Sequence, residues 1–506
     1  MVFEKICMNK LFIILLIFFF SIGLRFWNLN QMGRTWDESA YVQWGYDFVE
    51  LAIKGDFKDP YWHEKSASPP LSSYLFGIPA RFDVDKFDSK GKPIFNYDYT
   101  HVRLVSVLFS SLTVISLVLF GWKYASFFTG ALAGIILAML PLFVGYSQLA
   151  TLESLIIFFF TATVFSFFNF LMNFSKRNIL LTGILLGLAL GIKYTNFLLV
   201  PLLTLIYLVW FFSVKREDRL SRIKSLLLIF VVGLITFFVL WPMPWFHLSE
   251  VVAFNADLRY SPYSVPEVFF GRLIHVPKLY YFVYFLITTP FLVILFFLMG
   301  LKKISNEKKW IFYSVVIWFL FPFVQSIYNF RQHGIRYIIE IYAPLALIAA
   351  IGFDHVINKI TKKTLSKAIL FIPVAIYLLV ILVKISPYYL DYFNIVVGGT
   401  KNVYEKQLFQ LGWWGQGIGE AADYVVKNAQ KGSRVGIALS PATVMPALEN
   451  FNVSKYEEKE KYDYIIVNYF NILREGFDDS KIRKQYNPVY VVRADGAFLA
   501  TVYKSK

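Results

Sequence analysis

The sequence predicts an α-helical polytopic membrane protein of about 11 transmembrane helices, followed by a small α/β C-terminal domain outside the membrane. Three observations point there. Of 506 residues, 57% are hydrophobic and 17% charged, where a soluble domain carries about a quarter charged. Apolar stretches near 20 residues recur along the chain, each long enough to cross a bilayer. After about residue 400 the composition shifts to short strand-like runs.

The first run, "LFIILLIFFFSIGL" from Leu11, follows Lys5 and Lys10. No small-x-small cleavage site follows it and many spans come later, so it reads as a retained helix and not a cleaved signal peptide. Spans are expected near 10–28, 103–121, 126–147, 152–173, 178–192, 195–213, 224–246, 278–300, 310–328, 337–353 and 367–387. The short fifth should form a hairpin with the sixth, broken at "IKYTN". The single cysteine, Cys7, excludes an internal disulfide. The formal charge of +16 does not signal nucleic acid, because the basic residues fall mainly in short loops.

Those loops set an orientation. "SVKREDRLSRIK", "GLKKISNEKKW" and "NKITKKTLSK" are rich in Lys and Arg, which belongs on the cytoplasmic side of a plasma (inner) membrane. The N-terminus is then cytoplasmic, and an odd helix count puts the C-terminal domain outside. Residues 1–395 are expected to form the membrane domain and 396–506 the outer one. The first outer loop, 29–102, should carry a surface helix over 35–54, with Tyr41, Trp44, Phe48, Leu51 and Ala52 on its apolar face and Gly55 ending it. In the tail, "SRVGIAL" and "YDYIIVNYF" read as strands, "GEAADYVVKNAQ" as a helix, and "NPVYVVRADGAFLATVYK" as a hairpin turning at Asp495–Gly496.

In this topology the ionisable residues near the spans gather on the outer face: Asp37 and Glu38; His63, Glu64 and Lys65; Arg103; Glu153; Lys193; His275; Arg331, His333 and Arg336. Charges at membrane depth are costly and usually functional. Each also has a plain structural reading. Thr35 to Glu38 fits a capping box. Thr151 would cap the helix that begins near Glu153. Arg103 would snorkel from a helix end. Glu340 lies one turn inside its span and needs a partner in the bundle. His63 and Glu64 are two local candidates for a divalent metal, which His275 would have to complete from far along the chain. No cofactor is assigned. "LGWWGQGIGE", residues 411–420, lacks the acid of the Trp-Trp-Asp motif of oligosaccharyltransferases and is not assigned as a site.

The order of these pieces resembles the dolichyl-phosphate-mannose protein mannosyltransferase-like glycosyltransferases (family 39) and their lipid A aminoarabinose transferase relatives, polytopic enzymes of the GT-C class. The matching segments are "TWDESAY", "SPPLSSYLFG", "VRLVSVLFSSLTVISLVLFG", "GYSQLATLESLIIFF", "GLALGIKYTNFLLVP", "YYFVYFLITTPF", "IRYIIEIYAPLALIAA" and "PYYLDYFNIVVGG". Two features depart from the pattern. Ser66, Ala67 and Ser68 separate Lys65 from Pro69, and Glu340 or a neighbour stands where relatives carry proline.

The resemblance implies an inverting hexosyltransferase, a mannosyltransferase among its nearest relatives, of the kind used in protein glycosylation and cell-envelope assembly. The donor would be a polyprenyl-phosphate-linked sugar at the outer leaflet, and the acceptor a hydroxyl of protein, lipid or glycan. Asp37 would be the general base, with Glu38 beside it and Glu153 orienting it or the acceptor. Arg103, Arg336, Lys65 and His333 would meet the donor phosphate. A transporter or flippase of lipid-linked sugars is the competing reading. Transporters place coupling charges near the midplane and often carry inverted repeats. Here no repeat is visible and the acids lie at one face. A receptor or scaffold would need no paired acids at that boundary.

Overall fold

A computed structural model of the protein describes residues 2–64, 69–214, 220–251, 266–275, 277–305, 309–327, 334–438, 448–470 and 477–506. All eleven expected apolar stretches are helical over most of their length. Among the described residues, seven helices are long and apolar enough to cross a membrane alone, or nine if each of two bent pairs is one span. The protein is thus a multi-pass membrane protein, although length alone does not reproduce eleven separate spans.

The shortfall has local causes. Proline interrupts two stretches: Phe127–Ala138 bends by 68° into Pro141–Ser147, and Tyr280–Thr288 by 114° into Phe291–Ser305, just after Pro290. Proline has no N–H to continue the ladder and restricts the residue before it. Lys176–Leu190 and Trp310–Ser326 have 15 and 17 residues. At 1.5 Å per residue these fall short of a hydrocarbon core about 30 Å thick. The break at "IKYTN" is a turn followed by the 3-10 segment Tyr194–Leu198, which leads into Leu199–Ser213.

Bundle helices approach closely through glycine. A Cβ on Gly300 would collide with the carbonyl of Ile348, and one on Gly352 with that of Phe296. Backbones can come this near only where no side chain intervenes.

The surface helix spans Trp36–Lys54 and stops at Gly55, which is left-handed at φ 69°. Its buried residues are Glu38, Val42, Gly45, Phe48 and Val49. The buried stripe is therefore rotated from the expected one and shares only Phe48 with it. The reason is the neighbour it packs on. Gly45 lies against Gly77 of helix Leu71–Ala80, which turns Tyr41 and Trp44 away from that contact.

The C-terminal region forms a five-stranded sheet in the order Asn452–Lys455, Arg434–Ile437, Tyr464–Asn468, Ala497–Ser505, Tyr486–Ala494. The first three are parallel and the last two join antiparallel. Every residue of the central strand is buried. The hairpin turns at Asp495 and Gly496, both at positive φ, as expected. The C-terminal region is seated on the loop between the first two spans and on the segment that follows helix Thr364–Ile385. Gly419 meets Gly33 backbone to backbone, Glu420 accepts from the Tyr388 hydroxyl at 2.6 Å, and Phe470 packs edge-on against Trp36.

Candidate active site

The surface helix begins where two adjacent acids stand. Successive residues on a helix point about 100° apart, so neighbours cannot serve one contact. Asp37 and Glu38 therefore part.

Glu38 turns inward. One carboxylate oxygen accepts from the backbone N–H of Thr35 at 2.9 Å and from its hydroxyl at 3.0 Å, the return half of a capping box. The other accepts from Ala150 N–H at 2.9 Å. Arg103 donates to both oxygens at 2.8 Å. Arg103 also donates to the carbonyls of Leu29 at 2.9 Å and Gly33 at 2.6 Å. Both side chains are 0% exposed. Burial alone would raise the Glu38 carboxyl, but the Arg103 guanidinium outweighs it and holds it below the ordinary carboxylate value. This pair ties three chain segments together and turns neither member toward open space.

Asp37 turns the other way. Its Oδ2 lies 2.9 Å from Arg336 Nη2, and its side chain is 40% exposed where that of Arg336 is 5% exposed. Arg336 donates its Nε to Glu153 Oε1 at 2.5 Å, and Glu153 is 0% exposed. Glu153 is the first residue of helix Glu153–Met172, with Leu152 and not Thr151 at the cap position. Arg336 comes from the 3-10 segment Gly334–Ile341, which leads into the helix Tyr342–Ile357. One guanidinium is thus held from below by a closed carboxylate and faces an open one above.

Three further groups surround the triad. Lys193 acts electrostatically on Glu153 and Glu340, and its ammonium sits 4.9 Å from the centre of the Tyr337 ring. Tyr41, one turn along from Asp37, lies within the field of Arg336, Glu153 and Asp37. Burial raises its phenol above the ordinary value, so it remains a hydrogen-bond donor. Trp414, on the loop before helix Ile418–Asn428, stacks its ring 4.2 Å from the Arg336 guanidinium carbon. Trp413 stacks on Trp414 at 4.6 Å.

The structure therefore brings together Asp37, Glu153 and Arg336, and closes Glu38 and Arg103 into a second pair beside them. Lys65 and His333 lie outside the described residues, as do the side chains of His63 and Glu64. His275 is exposed. Among the described residues, no group of three His, Cys, Asp or Glu is arranged to hold a metal ion. The reading of the sequence left Lys193 without a role and set the Trp-Trp pair aside. The isolated lysine inside an apolar hairpin was the available signal for the first. For the second, only the fold brings residue 414 to residue 336.

Comparison with known proteins agrees with this architecture. Residues 15–258 match the family model of dolichyl-phosphate-mannose-protein mannosyltransferase. Dolichyl-phosphate-mannose–protein mannosyltransferase 2 of Candida albicans is 30% identical over 212 residues, covering 39% of this chain and 26% of the relative. The match thus spans about a quarter of that relative's length. ArnT from Cupriavidus metallidurans, bound to undecaprenyl phosphate, superimposes with a TM-score of 0.55 at 11% identity, over 96% of this chain and 97% of that one. The Archaeoglobus fulgidus oligosaccharyltransferase gives 0.52 at 12% identity, over 98% and 74%. At such identities the likeness is one of fold. The chain is PMT-like in sequence over residues 15–258 and has the GT-C fold of ArnT along nearly its whole length.

Proposed function

We propose that this protein is an inverting glycosyltransferase that moves one sugar from a polyprenyl-phosphate carrier to an acceptor hydroxyl on the non-cytoplasmic face of the membrane. The observation that carries the reading is the half-open triad: an accessible Asp37 carboxylate beside a buried, oriented Arg336, with Glu153 behind it.

In this reading the acceptor hydroxyl docks against Asp37 and gives up its proton as its oxygen attacks the anomeric carbon. The bond from that carbon to the phosphate oxygen breaks on the opposite face, so configuration inverts. The polyprenyl phosphate departs with the bonding electrons. Charge develops on that phosphate, and fixed cations in a closed site stabilise it. Arg336 has donors left after Glu153 and Asp37 are served, and Lys193 adds a second charge. Glu153 keeps the guanidinium from following the phosphate out. Arg103 and Glu38 scaffold the loop that carries the base and do not touch donor.

The basic loops support placing this chemistry outside the cytoplasm, where a lipid-linked donor supplies the activated sugar. The curated relative is a mannosyltransferase and ArnT binds undecaprenyl phosphate, which supports the donor class. The test is turnover by the purified full chain in lipid nanodiscs. It uses labelled polyprenyl-phosphate mannose and a hydroxyl-bearing peptide or glycan, with the anomeric configuration of the product read by NMR. Inverted product supports the reading. Retained configuration, or no transfer from any polyprenyl-phosphate sugar, overturns it.

A further inference from the structure

The end of the bundle opposite the triad carries a cavity that the glycosyl-transfer chemistry does not use. Helix Tyr342–Ile357 leads from the Arg336 segment to that end, and its 16 residues span about 24 Å. The cavity has a volume of about 380 Å³ and is lined among others by Ser126, Thr129, Lys303, Asp354, Asn358 and Lys362. We infer that it binds the headgroup of an anionic phospholipid in the leaflet opposite the triad.

Size and charge both fit a phosphate-bearing group. The volume falls within the range of about 300–1,000 Å³ for sites that hold small molecules. Segments distant in sequence build the wall: the start of helix Phe127–Ala138, the last turn of Phe291–Ser305, and the end of Tyr342–Ile357 with the loop after it. Lysine dominates the charge. Lys303 and Lys362 stand against a single acid of the lining, Asp354, and that acid already accepts from Lys367 Nζ at 2.8 Å. Lys362 is exposed and forms no ion pair among the described residues. His355, also in the wall, lies in the field of Lys302, Lys303 and Lys359 as well as that of Asp354. The Asn358 amide and the hydroxyls of Ser126 and Thr129 add neutral polar groups. A surplus of cations with neutral donors between them suits a phosphodiester, whose free oxygens carry one negative charge and accept charge-assisted bonds.

The surface beside the cavity decides which phosphate. Ala125, Phe312 and Ile351 belong both to the cavity and to a narrow crevice walled by Phe120, Val315 and Leu347. The lining thus passes from polar to apolar across one row of residues, as a phospholipid does between its phosphate and its chains. The cavity also lies where helices end. Lys302 and Lys303 are in the last turn of Phe291–Ser305, and Lys359, Lys362 and Lys363 are in the loop between Tyr342–Ile357 and Thr364–Ile385. Lysines at span ends meet the headgroup layer and are attracted to anionic lipid. In the orientation proposed above this is the cytoplasmic leaflet, the one that carries such lipids. A free anion would meet the same lysines but would leave the apolar row without a use.

The site does not depend on the glycosyl-transfer reading. The test is lipid retention by the purified full chain in detergent, measured by native mass spectrometry after incubation with equal amounts of phosphatidylglycerol and phosphatidylcholine. Phosphatidylglycerol should be retained in preference. Lys362→Gln should lower that retention about fivefold, the scale of one lysine at an anionic surface, and Lys362→Arg should preserve it. Lys176 opens helix Lys176–Leu190 at the same end of the bundle but does not line the cavity, so Lys176→Gln should change nothing. Glycerophosphoglycerol, the same headgroup without chains, should not displace the lipid at equal concentration. Equal retention of the two lipids, no loss with Lys362→Gln, or the same loss with Lys176→Gln overturns the inference. Displacement by glycerophosphoglycerol or by inorganic phosphate at equal concentration also overturns it, in favour of a site for free phosphate.

Discussion

Two carboxylate–guanidinium pairs sit one residue apart at the start of the surface helix, and their difference separates scaffold from chemistry. Glu38 and Arg103 are wholly enclosed, and both Glu38 oxygens are occupied. Asp37 and Arg336 pair at a comparable distance, but Asp37 is 40% exposed. The first pair has no free direction in which to meet a substrate. The second has a rigid side, through Glu153 and Trp414, and an accessible one. A salt bridge as such marks neither role. What distinguishes them is whether one partner can exchange its contact for a ligand.

That contrast can be broken experimentally, starting with its largest expected effect. Asp37→Asn should lower turnover by about 10²–10⁴-fold, the range for loss of a general base. Its melting temperature and donor binding should stay near wild type. Near-normal turnover would remove Asp37 from the base role.

Arg103→Met should do the reverse. It strands Glu38 in a closed site and should cost about 3–5 kcal/mol of stability. Thermal melting in detergent would report it, and unchanged melting would dissolve the distinction between the pairs.

Arg336→Ala leaves Glu153 behind and removes contacts to the donor phosphate. One lost charge-assisted bond is worth about 1.5–3 kcal/mol, so apparent donor affinity should fall by at least about tenfold. A normal donor KM would contradict the phosphate assignment.

The smallest effect sharpens the comparison from the C-terminal side. Burial pushes the Asp391 carboxyl up to about 7, against the pull of the Gly412 N–H bond. A group whose folded value is raised favours the fold when protonated. Its contribution is full below the ordinary Asp value of about 3.9 and is lost as pH rises through about 7. Wild type should therefore lose melting temperature between those pH values relative to Asp391→Asn. Parallel pH profiles for the two proteins would refute this.

Much of the architecture was legible in the chain. The apolar stretches marked the helices because hydrophobic length is a local property. Gly55 announced the end of the surface helix, and Asp495–Gly496 the turn of the final hairpin, because both need positive φ. Thr35 and Glu38 announced their cap by their spacing. The buried face of the surface helix was misread, since Tyr41, Trp44, Val42 and Val49 are all apolar and only the Gly45–Gly77 contact chooses among them. The span count differed because Pro141 and Pro290 bend stretches that hydropathy alone reads as continuous.

By itself, then, the sequence determined that this is a many-helix membrane protein, where its surface helix ends and its last hairpin turns, and which charged residues stand near helix ends. Those follow from hydrophobic period, caps and breakers, all of which act within a few residues. Only the tertiary structure decided which acid meets which arginine, and that residue 414 of the C-terminal region covers residue 336 of the bundle. Such pairings join positions 65 to 299 residues apart, and their energy depends on burial and geometry that no local pattern encodes.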